Sequence, residues 1–112
     1  MTIETIRLSN DKDIKNVIRR GVGCRTGLFN LKALRARNSD SPAEIAFVVS
    51  KKVSNKAVVR NKIRRRVREA FSAQGGFQGW RVVVFPSIQS LEADFEEIKK
   101  EAHRCSKRLR DY

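Results

Sequence analysis

Residues 51–71 read KKVSNKAVVRNKIRRRVREAF, and this stretch combines a dense positive charge with a regular apolar pattern. Nine of the positions between 51 and 68 are Lys or Arg, and none is Asp or Glu. The apolar side chains recur three or four positions apart, which is the spacing of one face of an α-helix. This spacing predicts a helix over residues 56–73 that packs one stripe on a sheet. The stripe consists of Val59, Ile63, Val67, Ala70 and Phe71.

A basic face built mainly from arginine lies beside the apolar stripe of this helix. Arg60, Arg64 and Arg68 recur every four residues and so share one side, with Asn61 and Arg65 next to them. Repulsion between like charges at i, i+4 costs about 0.2–0.5 kcal/mol per pair, which is less than burial of the stripe contributes. Because the guanidinium fork fits phosphate and stacks on bases, the pattern predicts a surface for nucleic acid.

Further positive side chains extend this surface. Lys51, Lys52 and Lys56 precede the helix, near an end whose free backbone N–H groups and positive dipole also favour phosphate. Lys62 adds a charge within the helix itself. We interpret Ser54 and Asn55, which stand between these lysines, as ordinary turn or cap residues.

The charge of the whole chain supports a localised binding surface. The 112 residues carry a net charge of +13, and all 12 acids lie outside residues 51–68, so the rest of the chain is close to balanced. Such a cluster favours a polyanionic partner, nucleic acid ahead of an anionic membrane. We recognise no membrane-length apolar run and no signal peptide, and we expect a cytoplasmic protein with one domain over residues 1–112.

The remaining patterns predict a small α+β fold in the order helix, strand, strand, helix, strand, helix. The expected elements besides the basic helix are helices within 9–21 and 90–109, and strands within 27–37, 43–50 and 80–86. The alternation of the first strand slips at Leu34, which suggests a bulge. The first two strands are joined by a turn at 38–42, and we expect them to pair antiparallel. Ser90 is the expected N-cap of the last helix.

The sequence offers little for catalysis or metal binding by the protein itself. Cys24 and Cys105 could form a disulfide, but a reducing compartment favours two free thiols. His103 and Cys105 are two positions apart on an expected helix, and no second ligand pair accompanies them. We therefore predict no catalytic residue and no metal site in the protein.

The segment VVSKKVSNKAVVRNKIRRRVREAF, residues 48–71, resembles the protein component of bacterial ribonuclease P. Its residues 60–69 are similar to the Arg-Asn-Arg-type motif of that family, and VSKK at 49–52 is similar to its strand-to-helix junction. LSNDKDIKNVIRRG and WRVVVFP resemble the family more loosely. The resemblance implies a small α/β sandwich with a mixed sheet of three to four strands. It also implies a left-handed βαβ crossover into the basic helix, where most such units are right-handed.

The resemblance further implies an accessory subunit of an endoribonuclease. In that family the RNA subunit, with bound Mg²⁺, removes the 5′ leader of precursor tRNA, and the protein assists binding. Carried over to this chain, the protein binds no cofactor alone, requires no protein partner, and contacts the catalytic RNA subunit and precursor tRNA. The residues implied for RNA contact are Lys51, Lys52, Lys56, Arg60, Asn61, Lys62, Arg64, Arg65 and Arg68.

The resemblance also implies a cleft for the leader between the first helix and the sheet. Phe29 matches an aromatic strand position of that cleft, and Ile14 and Ile18 stand where the first helix often carries Phe. Isoleucine cannot supply the stacking on a base that is worth about 1–3 kcal/mol. Whether the two isoleucines contact RNA or belong to the core is left open by the sequence.

Three other function classes are alternatives to this one. Composition alone fits a structural RNA-binding protein, such as a ribosomal protein, equally well, and the motif in residues 48–71 favours ribonuclease P. A self-sufficient nuclease would need a metal or acid–base set that we do not find. A membrane-surface protein would need a free amphipathic helix, whereas the basic helix is expected to pack on the sheet.

Overall fold

Three α-helices pack on the two faces of a single sheet in the computed structural model, which describes residues 5–112. The first four residues of the domain predicted over 1–112 lie outside this range. Between residues 5 and 112, no helix is both long enough and apolar enough to cross a bilayer. A 3-10 turn at Ile88–Leu91 precedes the last helix. The elements are β1 (Thr5–Arg7), α1 (Asp11–Arg20), β2 (Val22–Arg25), β3 (Phe29–Arg35), β4 (Ala43–Phe47), α2 (Ala57–Gln74), β5 (Trp80–Pro86) and α3 (Phe95–Leu109).

The central strand of the sheet is β5, in the order β1-β4-β5-β3-β2. It pairs parallel with β4 and antiparallel with β3. Val82, Val83 and Val84 have no exposed surface, as expected of a strand that is covered on both faces. The sheet is mixed, as predicted, but it has five strands instead of three to four, because the short strands β1 and β2 extend its two edges.

The predicted antiparallel pairing of β3 with β4 is wrong, because β5 lies between them. The chain leaves β4, runs through α2 and returns as β5, which is parallel to β4. β5 is apolar on both faces, so the central position buries it more completely than an edge would. The parallel βαβ unit implied by the resemblance is therefore present, and its left hand stays a prediction.

The strand β3 is regular, and the bulge predicted at Leu34 is absent from its pairing with β5. Its burial alternates along the whole strand. Leu31 and Ala33 belong to the core beneath α2 and α3, whereas Leu34 packs on the other face, in the cluster beneath α1. The slip in the apolar pattern therefore reflects a strand that is covered on both sides at this end.

The main core lies between the sheet and the two helices α2 and α3. The predicted stripe of α2 is confirmed, with Val59 partly buried and its other four members fully buried. The last helix begins at Phe95 instead of residue 90, and Asp94 is its N-cap residue. Ser90 lies in the preceding 3-10 turn, where its hydroxyl donates to the carbonyl of Ser87 at 2.7 Å.

The helix α1 covers the opposite face of the sheet over a second, smaller core. The Asn10 side chain accepts a hydrogen bond from the Lys12 N–H at 2.9 Å, as expected of a helix cap. Beneath the helix, the guanidinium of Arg81 on β5 lies 3.4 Å from Asp13 and 3.2 Å from Glu44. The first pair fastens α1 to β5, and the second joins β5 to β4. The fully buried members of this core are Leu8, Val17, Ala46 and Val83.

The two cysteines, expected to be free thiols, are joined in a disulfide. The alternation of β2 turns Cys24 toward the main core, and the apolar stripe of α3 presents Cys105 to it. Their Cα atoms are 6.0 Å apart, although 81 positions separate them in the sequence. The fold brings the two cysteines together, and their spacing in the sequence does not predict this proximity.

One arginine of α2, Arg66, makes contacts inside the protein. Its Nε donates to the Ser90 carbonyl at 3.4 Å, and its Nη2 donates to the carbonyl of Ala93. The Ser90 carbonyl belongs to the 3-10 turn, and the Ala93 carbonyl belongs to the connection between that turn and α3. Arg66 therefore links α2 to the segment that leads into α3 and has a structural role.

Replacing Arg66 by alanine should lower stability, because two partly buried carbonyls lose their donor. We expect the free energy of unfolding to fall by about 1–3 kcal/mol, measured by chemical denaturation. Arg65→Ala is the matched control, since the Arg65 side chain is exposed and its removal should change stability by no more than about 0.5 kcal/mol. Equal losses in the two variants would contradict a structural role for Arg66.

Candidate nucleic-acid interface

The connection from β4 to α2 presents the three predicted lysines to solvent. Lys51 and Lys52 lie in a turn, and Lys56 is the N-cap residue of α2. The Lys56 N–H donates to the Ser54 hydroxyl at 3.2 Å, which confirms the turn role of Ser54. The first turn of α2 contains no acid, so the lysines and the positive end of the helix dipole act together.

Four of the five arginines of α2, all but Arg66, share one surface, and two of their guanidinium groups are hydrogen-bonded to the protein. We call Arg60, Asn61, Arg64, Arg65 and Arg68 the arginine surface. Arg60 Nη1 donates to the Ser54 carbonyl at 3.0 Å. Arg64 donates through Nε to the Phe47 carbonyl at 3.3 Å and through Nη1 to Asn61 Oδ1 at 2.7 Å.

Protein contacts use only part of the donor capacity of these side chains. A guanidinium has five N–H donors, and Arg60 and Arg64 give one and two of them to protein oxygens. The guanidinium carbon of Arg68 lies 6.0 Å from the centre of the Phe47 ring, and its side chain is exposed. The surface therefore offers oriented donors to an external anion.

Within the described residues, no carboxylate forms an ion pair with the arginine surface, although Asp11 lines the same pocket as Arg64 and Arg68. Every ion pair found between residues 5 and 112 involves Arg81, Lys99 or Arg104, all of which lie outside α2. The one acid of α2, Glu69, is exposed. The positive charge of this helix is thus directed outward and is available to a polyanion.

Lys62, which was also predicted as an RNA contact, lies on a different side of α2 from Arg60 and Arg64. At about 100° per residue, its position on α2 is roughly 160° around the helix axis from that of Arg64. Lys62 is exposed and lies one turn before Arg66, whose side chain contacts the 3-10 turn before α3. Lys62 therefore lies apart from Arg60 and Arg64, and around the helix axis its nearest neighbour among the predicted contacts is Arg65, about 60° away.

A pocket of about 370 Å³ joins the arginine surface to the start of α1. Arg64 and Arg68 form one side of it, and the end of β4 forms its floor. Ser9 and Ile14 contribute from the opposite side. The sequence did not predict this contact, because it depends on the pairing of β1 with β4, which brings the residues before α1 beside the chain that enters α2.

The prediction that Phe29 lines a cleft beneath α1 is wrong. Phe29 is 1% exposed and lies on the other face of the sheet, where its ring meets Phe71 edge-on at 5.1 Å. The two isoleucines of α1 differ from each other. Ile14 packs on the smaller core, and Ile18 is 40% exposed.

The aromatic side chain on the α1 face of the sheet is Phe85, which the sequence reasoning missed. It is partly buried and, like Ile14 and Leu34, packs against the buried residues of the smaller core. In the strand register Phe85 stands opposite Asn30, and Asn30 stands opposite Arg25, so the three form one row across β5, β3 and β2. Period-two alternation starting from Arg81 would have placed Phe85 on this face.

The described residues contain no group of three or more His, Cys, Asp and Glu side chains arranged to hold a metal ion. The interface offers N–H donors and positive charge. It combines cationic forks and lysines with a pocket and an adjoining sheet face that carries one aromatic ring. These groups suit the phosphates and bases of a nucleic acid.

Comparison with known proteins gives a consistent result. The ribonuclease P family matches residues 4–110. The ribonuclease P protein component of Arthrobacter sp. strain FB24 is 42% identical over 96 residues, covering 82% of this chain and 68% of that protein. The protein component of Picosynechococcus sp. strain PCC 7002 is 32% identical over 100 residues, covering 88% and 84% of the two chains.

A solved structure shares both the fold and part of the sequence. The ribonuclease P protein from Thermotoga maritima superposes with a TM-score of 0.77 at 26% identity, covering 91% of this chain and 96% of that one. Its agreement extends over both faces of the sheet, because nearly the whole of each chain is matched. The chain described here belongs to the ribonuclease P protein family.

Proposed function

We propose that this protein binds the catalytic RNA subunit of ribonuclease P through the arginine surface and the lysines that precede α2. It assists that RNA in the Mg²⁺-dependent removal of the 5′ leader from precursor tRNA. The observation that carries the proposal is the basic helix, whose charges form no ion pair within residues 5–112 and whose arginines keep N–H donors that protein oxygens do not use. The proposed setting is the cytoplasm, with no protein partner and no membrane.

The contacts inside the protein favour binding to a structured phosphate backbone. Ordering a free arginine side chain costs up to about 2 kcal/mol of rotamer entropy. The hydrogen bonds of Arg60 and Arg64 to Ser54, Phe47 and Asn61 restrict these side chains before RNA arrives. Less entropy is then lost on binding, and the charge-assisted bonds to phosphate contribute more of their energy to affinity.

The leader of precursor tRNA is proposed to cross the sheet face next to α1. The pocket beside Arg64 and Arg68 connects that face to the arginine surface, so one RNA strand can contact both. Phe85 supplies the ring for stacking on a base, and the exposed part of Ile18 supplies apolar surface. Phe29 is excluded from this role by its burial on the other face.

The chemistry of cleavage is assigned to the RNA subunit and its bound Mg²⁺. The residues of this chain bind and orient: the arginines neutralise phosphates, and the sheet face holds the leader away from the folded tRNA. No protein side chain is given an acid, base or metal-ligand role in the proposal. The protein alone should therefore leave precursor tRNA intact.

Reconstitution tests the proposed function directly. We expect the purified protein, added to a bacterial ribonuclease P RNA at low Mg²⁺, to raise the rate of 5′ leader removal about tenfold or more, equivalent to about 1.4 kcal/mol of barrier or binding energy. The reaction is followed by gel electrophoresis of end-labelled precursor tRNA. Unchanged RNA activity, or cleavage by the protein without the RNA, would contradict the proposal.

Removing two charges from the arginine surface should weaken RNA binding without unfolding the protein. For Arg64→Ala with Arg68→Ala, we expect affinity for the RNA subunit to fall about 10- to 100-fold, as for the loss of two charge-assisted bonds. The slope of log K against log salt should fall by roughly 2, one for each lost phosphate contact. Filter binding at several salt concentrations measures both quantities.

Lys62→Ala is the control for this experiment, because it removes a charge from the same helix outside the arginine surface. Its effect on affinity should stay within about threefold, consistent with a screened charge. Thermal unfolding by circular dichroism confirms that all variants are folded. If Lys62→Ala weakened binding as much as the double variant, net charge and not the arginine surface would control affinity.

The role of Phe85 is tested by Phe85→Leu, which keeps an apolar side chain in the smaller core but removes the ring. We expect the affinity of the holoenzyme for leader-bearing precursor tRNA to fall roughly fivefold or more, since stacking is worth about 1–3 kcal/mol per base. Binding of mature tRNA, which lacks the leader, should be unchanged. Phe29→Leu is the matched control on the same sheet, with lower stability but normal leader affinity expected.

A further inference from the structure

The disulfide between Cys24 and Cys105 joins β2 to α3, and its two cysteines are 81 positions apart in the sequence. Cys24 lies on β2 at one edge of the sheet, and Cys105 lies in the third turn of α3. The two side chains are 4% and 0% exposed and belong to the main core. Disulfides are rare in reducing compartments such as the proposed cytoplasmic setting of this protein, so the bond is expected to respond to redox conditions.

The proximity of the two cysteines is set by the packing of the elements that carry them. Cys24 is the one fully buried residue of β2, and it stands opposite Leu31 in the register of the sheet. Cys105 continues the buried stripe of α3 after Ile98 and Ala102. The separation of 6.0 Å between their Cα atoms lies within the range that a disulfide spans without movement of the backbone.

The strand β2 has few other attachments. It has four residues and lies at the edge of the sheet, where its described pairing is with β3. Gly23 and Arg25 are exposed, and Val22 is partly buried. Edge elements with little buried surface open more readily than the rest of a fold. Cys24 therefore forms the main anchor of this strand to the helical layer.

We propose that Cys24 and Cys105 form a thiol–disulfide exchange site, which is a dithiol in reducing conditions and a disulfide when oxidised glutathione accumulates. This proposal is independent of RNA binding, because it rests on the core and the sheet edge. Local opening of β2 exposes Cys24 first. Closure of the strand then returns Cys24 to Cys105, so the second step is intramolecular and fast.

The exchange is balanced in two steps. The Cys24 thiolate attacks one sulfur of oxidised glutathione, the glutathione S–S bond breaks, and one glutathione thiolate leaves and takes up a proton. The Cys105 thiolate then attacks Cys24 Sγ in the mixed disulfide and releases the second glutathione thiolate. The protein loses two electrons and two protons, and one oxidised glutathione becomes two reduced ones.

Oxidation should stabilise the whole domain as well as the edge strand. The cross-link closes a sequence separation of 81 residues, and closing a long loop restricts the unfolded chain strongly. We expect the melting temperature to rise by roughly 10 °C or more. Amide hydrogen exchange in β2 should slow by about tenfold or more, because local opening of the strand then strains the bond to α3.

The full chain is incubated with oxidised glutathione or with dithiothreitol and then analysed in each state. Alkylation under denaturing conditions should count two free thiols in the reduced protein and none in the oxidised protein. Non-reducing peptide mapping should find Cys24 linked to Cys105 within one chain. Thermal unfolding and hydrogen exchange of the same samples then measure the difference in stability without any substitution.

Cys24→Ala and Cys105→Ala are the matched variants, and in each of them the redox-dependent shift in melting temperature should disappear. Two titratable thiols after oxidation would overturn the proposal. Disulfide-linked dimers in place of the intramolecular link, or equal melting temperatures of the oxidised and reduced wild-type protein, would overturn it as well.

Discussion

The helix α2 has to satisfy two demands at once, and the rest of the structure is arranged around it. Its buried stripe fixes it on the sheet, and the burial of large apolar side chains, each worth about 1.5–3 kcal/mol, outweighs the repulsion among its arginines. Because the stripe is fixed, the rotation of the helix is fixed, and so is the direction of the arginine surface. If the stripe buried less apolar surface, repulsion among the arginines could rotate the helix, and the arginines would no longer share one surface.

The two faces of the sheet divide the work between stability and binding. The face beneath α2 and α3 holds the larger core, whereas the face beneath α1 holds a smaller core next to partly exposed side chains. Arg81 reinforces this thinner layer by pairing with Asp13 and Glu44. The pocket between α1 and the arginine surface lies where the two regions meet, so RNA can contact both the helix and the sheet face.

The sequence predicted the features that depend on local periodicity. It did not predict the features that depend on packing between residues far apart in the chain. The phase of α2 followed from its own spacing, and the structure confirms it. The strands β1 and β2 are three and four residues long, too short for alternation to give a signal. Arg66 looks like its neighbours in the sequence, and only the position of the segment that precedes α3 gives it a structural role. The resemblance placed Phe29 in the leader cleft, whereas the strand register puts Phe85 on the sheet face beneath α1.

The central place of β5 also governs the order in which the domain can be built during synthesis. Without it, β1 with β4 and β2 with β3 form two separate strand pairs, since β5 is the strand that joins them. A nascent chain that has emerged only as far as α2 has no complete sheet on which that helix can dock. The highly charged helix α2 is therefore synthesised before the sheet on which it packs is complete. The domain can fold only after residues 80–86, which form β5, have been synthesised. Long-range pairing of this kind slows folding compared with a purely helical protein.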